Sequence, residues 1–375
     1  MNKYKILINK SIKFLGNPNI FVFAIAWMIV LVVIGTLAQR DIGLYQAQQL
    51  FFSNWIFWIK FIPIPSGRLL MLLIFINLLF YFACPNIFKS SKIGITITHF
   101  GALLLLFGGG VTAYYSQEGQ MAIEEGSYNN YFEDYYNKEL VIINTTNLDY
   151  DEFTTFNENI LFHGEYLSYN TIPFNLNILQ FFKNCEPIRR NYIGDEKFHG
   201  LAKNFYLEEL NIEKEYERNI AGIVFEIEGS DNENNGIYIV YQGQPVQQSI
   251  QYNKDEFYIG IRNTRTYLPF KIELIEFQKI LYPNTEIPKS FSSDINLVEN
   301  DIPRRVLIKM NEPLRHKGYT FYQSSFLENK FSDISVLAVV KNYGRLFPYI
   351  SSIIMCIGIL IHLILKIPKN KDLTI

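Results

Sequence analysis

Two histidines stand where a polar side chain is costly. His99 lies in IGITITHFGALLLLFGGGVTAYY (residues 93–115), a run without a single charged side chain. His362 lies in LFPYISSIIMCIGILIHLIL (residues 346–365). An ionisable group inside such a run faces protein, water or a ligand rather than hydrocarbon. Two kinds of chemistry suit an imidazole there. One is a hydrogen bond to a neighbouring helix or, for His362, a polar anchor at the membrane boundary. The other is coordination of a metal or heme iron: neutral imidazole is a common iron ligand, and a bis-imidazole heme is low-potential and closed to oxygen. His163 and His199 read as surface residues and His316 as structural, within a turn.

The remaining chemistry is narrower. The three cysteines are far apart: Cys84 and Cys356 fall in apolar runs, and only Cys185 lies in the polar middle of the chain. No CxxC exists, so neither a dithiol redox centre nor a structural zinc site can be built from this chain alone. There is no phosphate-binding glycine loop, G-x-S-x-G elbow or HExxH. Gly108-Gly109-Gly110 sits inside the His99 run and reads as close helix packing. A net charge of −2 gives no basic field for nucleic acid.

The elements that must position these histidines are membrane spans. Of the 375 residues 49% are apolar, and the apolar residues pile up at the two ends. Four spans are expected: Phe21 to Ala38, Leu69 to Cys84, Ile93 to Tyr115 and Leu346 to Leu365. About 20 apolar residues cross the hydrocarbon core, which is about 30 Å thick. Lys3, Lys5, Lys10 and Lys13 precede the first span, Lys89 and Lys92 the third, and Lys366, Lys369 and Lys371 end or follow the fourth. The positive-inside rule therefore places both termini in the cytoplasm. Both His99 and His362 then lie about one turn from the cytoplasmic boundary, about 6–9 Å inside it at 1.5 Å per residue.

The domains follow: a cytoplasmic N-terminus (1–20), three spans within 21–115, an extracytoplasmic domain (116–345), the fourth span (346–366) and a cytoplasmic tail (367–375). The loop 39–67 carries Trp55 and Trp58, three apart, and reads as an amphipathic or re-entrant helix on the outer leaflet. The 116–345 segment alternates with period two. Phe225 and Ile227 share one face, as do Phe257, Ile259 and Ile261, and Phe270, Ile272 and Leu274. Further strands are expected at RRVLIKM, YTFYQSSF and ISVLAVV. Residues 151–218 carry no readable pattern. The expected fold is an α+β membrane protein with four transmembrane helices and a large antiparallel, β-sandwich-like domain of one body or two. In NEPLRHKGYTFYQSSF (311–326), Pro313 and Gly318 read as turn punctuation, with Tyr319, Phe321 and Tyr322 as a strand.

Several phrases in order resemble the ResB (CcsB) family of system II cytochrome c biogenesis. They are GTLAQ at the end of the first span, HFGALLLLFGG from His99, G-x-x-x-I-x-E-G from Gly119, LPFKIELIEFQKILYP, SFSSDINLVE, and VLIKMNEPLRHKGYTFYQSSF before the last span. The likeness covers about residues 20–130 and 222–366. It implies a subunit of a holocytochrome c synthase (heme lyase) that is not an enzyme alone. Such a subunit acts in the inner membrane with a CcsA/ResC-type partner, its large domain periplasmic, and thiol-reducing factors alongside. It carries heme b, held non-covalently, toward attachment to apocytochrome c. His99 occupies the place of the family's membrane heme ligand; His362 is a second candidate, although the family picture puts that ligand on the partner. The motif residues Asn311, Glu312, Pro313, Gly318, Tyr319, Tyr322 and Gln323 form either a hairpin docking the β domain or a contact with the partner or apocytochrome. The alternative function is a tethered scaffold or apocytochrome-binding module that never touches heme. A lone transporter does not fit, because four spans without repeats make too small a bundle.

Overall fold

The computed structural model describes residues 10–83, 87–147, 149–191, 196–229, 234–328 and 332–367. Cys84, Lys3, Lys5, Lys369 and Lys371 lie outside them. Two compact units emerge: Met1–Gln117 with Lys341–Ile375, and Glu118–Val340.

The first unit is helical. Helix α1 spans Pro18–Ile42; Asn17 caps it by accepting from the Asn19 amide, Pro18 opens it, and Gly43 at φ 82° ends it. Helix α2 spans Gly67–Phe82, α3 Ile93–Tyr115 and α4 Phe347–Lys366. Their outward side chains are apolar: Phe23 is 75% exposed and Ile364 65%. Helices apolar all round suit a membrane rather than water. Three helical stretches, Lys10–Ile42, Ser90–Tyr115 and Phe347–Lys366, are long and apolar enough to cross one. The second expected span is the short one. Its helix has 16 residues, which at 1.5 Å each is about 24 Å and less than the hydrocarbon thickness.

The loop after α1 is not the expected helix around Trp55 and Trp58. Only Leu44–Ser53 is helical, and the chain then forms a hairpin of β1 (Ile56–Ile59) and β2 (Ile62–Pro65). The reason is local: Pro63 and Pro65 cannot donate in a helix, and Lys60 turns the chain at φ 56°. The hairpin folds back along α1, where Trp27 Nε1 donates to the Pro65 carbonyl at 3.0 Å.

Helices α3 and α4 pack closely and antiparallel. A Cβ on Gly94 would stand 2.7 Å from the Gly358 carbonyl, one on Gly101 2.9 Å from the Ser351 carbonyl, and one on Gly358 2.6 Å from the Thr98 amide. The glycines recur every seven residues along one face of α3, so the backbones approach with no side chain between.

The second unit is β, as the alternation predicts. Its main sheet runs β15 (Ile302–Lys309), β14 (Pro288–Glu299), β13 (Asp255–Leu281), β4 (Tyr128–Asn144), β3 (Gln117–Glu124), β18 (Asp333–Lys341), β17 (Tyr319–Glu328), β16 (Leu314–His316). Strands β15 and β16, at opposite ends of that order, are joined by a tight turn at Lys309 and Glu312, so the sheet curls toward closure. A second sheet runs β11 (Gly236–Tyr241), β10 (Gly222–Glu228), β7 (Asn175–Phe182), β6 (Tyr166–Leu167).

There are two main cores. Leu140, Ile142, Phe225, Ile227, Phe257, Ile259 and Ile261 bury in one. Phe132, Phe270, Ile272, Leu274, Ile295, Phe321 and Leu337 bury in the other. Strands β4 and β13 run through both. Between the cores their pairing slips, and the waist is charged: Arg262 bonds Glu139 at 2.8 Å and Arg265 bonds Glu133 at 2.9 Å. Buried Lys138 donates to Asn263 there, and burial lowers its ammonium below the usual range.

Candidate functional site

His99 sits on α3, half-buried, against α2. Its Nδ1 is 2.8 Å from the Ile95 carbonyl, one turn earlier. A carbonyl only accepts, so Nδ1 carries the proton and neutral His99 keeps its lone pair on Nε2. Among the described residues Nε2 has no hydrogen-bond partner, and it is not sealed by protein. The ring stacks on Tyr81 of α2, with centroids 4.8 Å apart and planes 23° apart. Below it Phe82 meets Phe100 edge-on at 6.4 Å. The turn between α2 and α3 is pinned by the Thr96 hydroxyl, which donates to the Ile87 carbonyl at 2.7 Å. Two helices and one backbone carbonyl thus fix an imidazole whose Nε2 is unoccupied among the described residues. This donor chemistry fits an axial ligand to iron.

His362 is held differently. Its backbone packs on Gly94, five residues from His99 toward Lys92, and its Nδ1 is sealed with no partner among the described residues. Tyr81, not His362, is the ring beside His99. The two imidazoles share no hydrogen bond or ring contact among the described residues.

The 311–326 motif divides in two. Lys317 (φ 46°) and Gly318 (φ 83°) make a two-residue turn joining β16 to β17, with His316 opposite Tyr319. Both positive φ values suit the mirror-image turn that matches strand twist. Tyr319 packs in the core, and Gln323 belongs to a buried polar cluster. Ser293 donates to Gln323 Oε1 at 2.6 Å and lies 2.7 Å from Ser335 Oγ, while Gln323 Nε2 donates to Ser335 at 3.1 Å. Asn311, Glu312, Gly318 and Tyr322 face outward and Pro313 is half-buried. His316 Nε2 meets Glu299 at 3.0 Å, and Lys317 also pairs with Glu299. The Lys317 ammonium, with His316, holds the Glu299 carboxyl below its usual range.

Sequence reasoning missed Tyr81 and the Ser293–Ser335 pair. The signal for the second was present: Ser293 and Gln323 fall at inward-facing strand positions, where a polar side chain needs a polar neighbour.

Cys185 begins β8 (Cys185–Arg189), buried beside Ala202 and Leu207, and burial pushes its thiol up to about 12. A thiolate is the reactive form, so this sulfur is inert at neutral pH. In a Cys84→Ser, Cys356→Ser protein, Cys185 is expected to react with a thiol reagent at pH 8 only after unfolding. Labelling of the native protein within seconds would reveal an accessible thiol.

No curated protein matches the chain. A family model does, over residues 221–335, from β10 to the start of β18. The matched stretch contains the whole of the 311–326 hairpin, Ser293, Gln323 and Ser335; His99 and His362 lie outside it. The model is that of the ResB-like family, and its match bears out the resemblance drawn from LPFKIELIEFQKILYP, SFSSDINLVE and NEPLRHKGYTFYQSSF: residues 221–335 are similar to the ResB-like family.

Proposed function

We propose that this chain is the ResB-type subunit of a system II cytochrome c synthetase. It acts with a CcsA/ResC-type membrane protein to move heme across the membrane and present it for covalent attachment to apocytochrome c. Heme is the cargo, held non-covalently. The observation that carries the reading is the state of His99. In an apolar helix its Nδ1–H is committed to the Ile95 carbonyl, and among the described residues its Nε2 lone pair has no hydrogen-bond partner. An idle imidazole in hydrocarbon is costly, and a ligand resolves that cost. The ResB-like match of the β unit supports the same assignment.

In this reading His99 Nε2 ligates the iron from one side, and a residue of the partner or His362 takes the other. The chain itself supplies the lone pair, the fixed ring and an apolar surround that keeps water away. The β unit offers Asn311, Glu312, Tyr322 and the hairpin turn as the surface toward partner or apocytochrome. Co-purification with a CcsA-type protein, followed by an absorption spectrum, tests the whole. A Soret band in the complex is expected. A stable complex that carries no heme would favour the scaffold function instead.

The proposed topology has both termini cytoplasmic and the β unit outside. Alkaline phosphatase fused after Asn235 is expected to be active, and fused after Lys369 to be silent. The reverse pattern would invert the membrane orientation.

A further inference from the structure

We infer that Tyr81 is a positioning residue for the His99 imidazole, acting through ring stacking to set the plane in which Nε2 presents its lone pair. The inference rests on His99 being a heme ligand.

Two constraints act on that ring. The Ile95 carbonyl at 2.8 Å fixes which nitrogen carries the proton. It also resists rotation of the ring about its bond to Cβ, which would swing Nδ1 off the carbonyl, but the terminal torsion of histidine is broad and a single hydrogen bond limits it loosely. Tyr81 narrows that freedom further. Its face lies on the imidazole at 4.8 Å and 23°, and Phe82 holds the Tyr81 ring edge-on at 5.7 Å. The stack joins α2 to α3 through the one side chain whose chemistry the site needs. Residues behind a metal-binding imidazole orient it, and their loss costs about 10–100-fold in affinity. A carbonyl and an aromatic face together do here what a carboxylate alone does at many metal sites. The stacking contribution lies in the flat ring, which phenylalanine keeps and leucine removes.

The test uses full-length protein purified with its partner and carrying the heme it was made with. Tyr81→Leu keeps the apolar volume and removes the flat face; Tyr81→Phe keeps both. Two readouts are taken: the low-spin electron paramagnetic resonance signal, which reports the orientation of axial imidazoles, and the rate of heme loss to excess apomyoglobin. The Leu variant is expected to shift the resonance and to lose heme about tenfold faster. The Phe variant should lie closer to the parent than the Leu variant in both. An unchanged signal and rate in the Leu variant, with heme lost in His99→Ala, overturns the role of Tyr81 alone. Full heme retention in His99→Ala overturns the ligand reading beneath it. A Leu variant too unstable to purify is replaced by Tyr81→Met, and the same two readouts decide.

Discussion

His99→Ala protein, purified with the proposed CcsA-type partner, is expected to carry little or no heme and to leave c-type cytochromes unassembled. Insertion should survive, because alanine is the best helix former and one residue of α3 is replaced in an otherwise apolar helix. Partnering should survive too, since the α3 face that packs on α4 is the Gly94–Gly101–Gly108 face, not the one bearing His99. In the proposed role, what is lost is the lone pair that His99 would offer to iron. Added imidazole should restore part of the Soret band by filling the empty coordination position. His362→Ala divides two cases: a weak effect if the partner supplies the opposing ligand, an equal one if this chain supplies both. A His99→Ala complex with full heme and an unchanged spectrum would show that the imidazole is not a ligand.

The second large effect is mechanical. Gly101→Leu is expected to break the α3–α4 pair, because a Cβ at Gly101 would stand 2.6 Å from Met355 Cγ, 2.9 Å from the Ser351 carbonyl and 3.0 Å from the Met355 amide. Two of those three atoms are backbone and cannot rotate aside. Overpacking usually costs about 1–3 kcal/mol, and a site where only the Met355 side chain can yield sits at the upper end. Gly109 and Gly110 give an internal control, for nothing lies within 4 Å of a Cβ at either. Gly109→Leu should accumulate and melt like the parent, while Gly101→Leu should fall in membrane abundance and in Tm. Equal behaviour of the two would show that α3 and α4 do not touch through this face.

Most of the β unit was legible. Phe225 and Ile227, and Phe257, Ile259 and Ile261, are buried as period two requires. The alternation fails at Ile275, which is exposed where Leu274 and Glu276 bracket a register shift; a bulge inserts one residue and flips the face. Residues 151–218 gave no pattern because their strands are short, from two residues at Tyr166–Leu167 to eight at Asn175–Phe182. Trp55 and Trp58 misled, since a spacing of three is helical only if nothing downstream forbids a helix, and Pro63 and Pro65 do. At the site, His99 was visible as an ionisable group in an apolar run. Tyr81 was not, because stacking joins two helices whose relative rotation no local spacing encodes.

The neighbour relation of β3 and β18 governs when the β unit can be completed. β3 is the first of its sheet strands to be synthesised and β18 the last, yet they lie side by side. Closing so long a stretch of chain carries an entropic cost that slows folding. Until β18 leaves the ribosome, β3 and β17 each present an open edge, the form of surface that aggregates or is cleaved. Only five residues separate the end of β18 from the start of α4. At about 5–20 residues per second the five-residue connector and the 20 residues of α4 are added within about 1–5 s of β18, the range in which the slower β domains fold. Closure of the sheet and synthesis of the final helix therefore fall in the same few seconds, and a chain truncated ahead of Asp333 keeps both edges open for its whole lifetime.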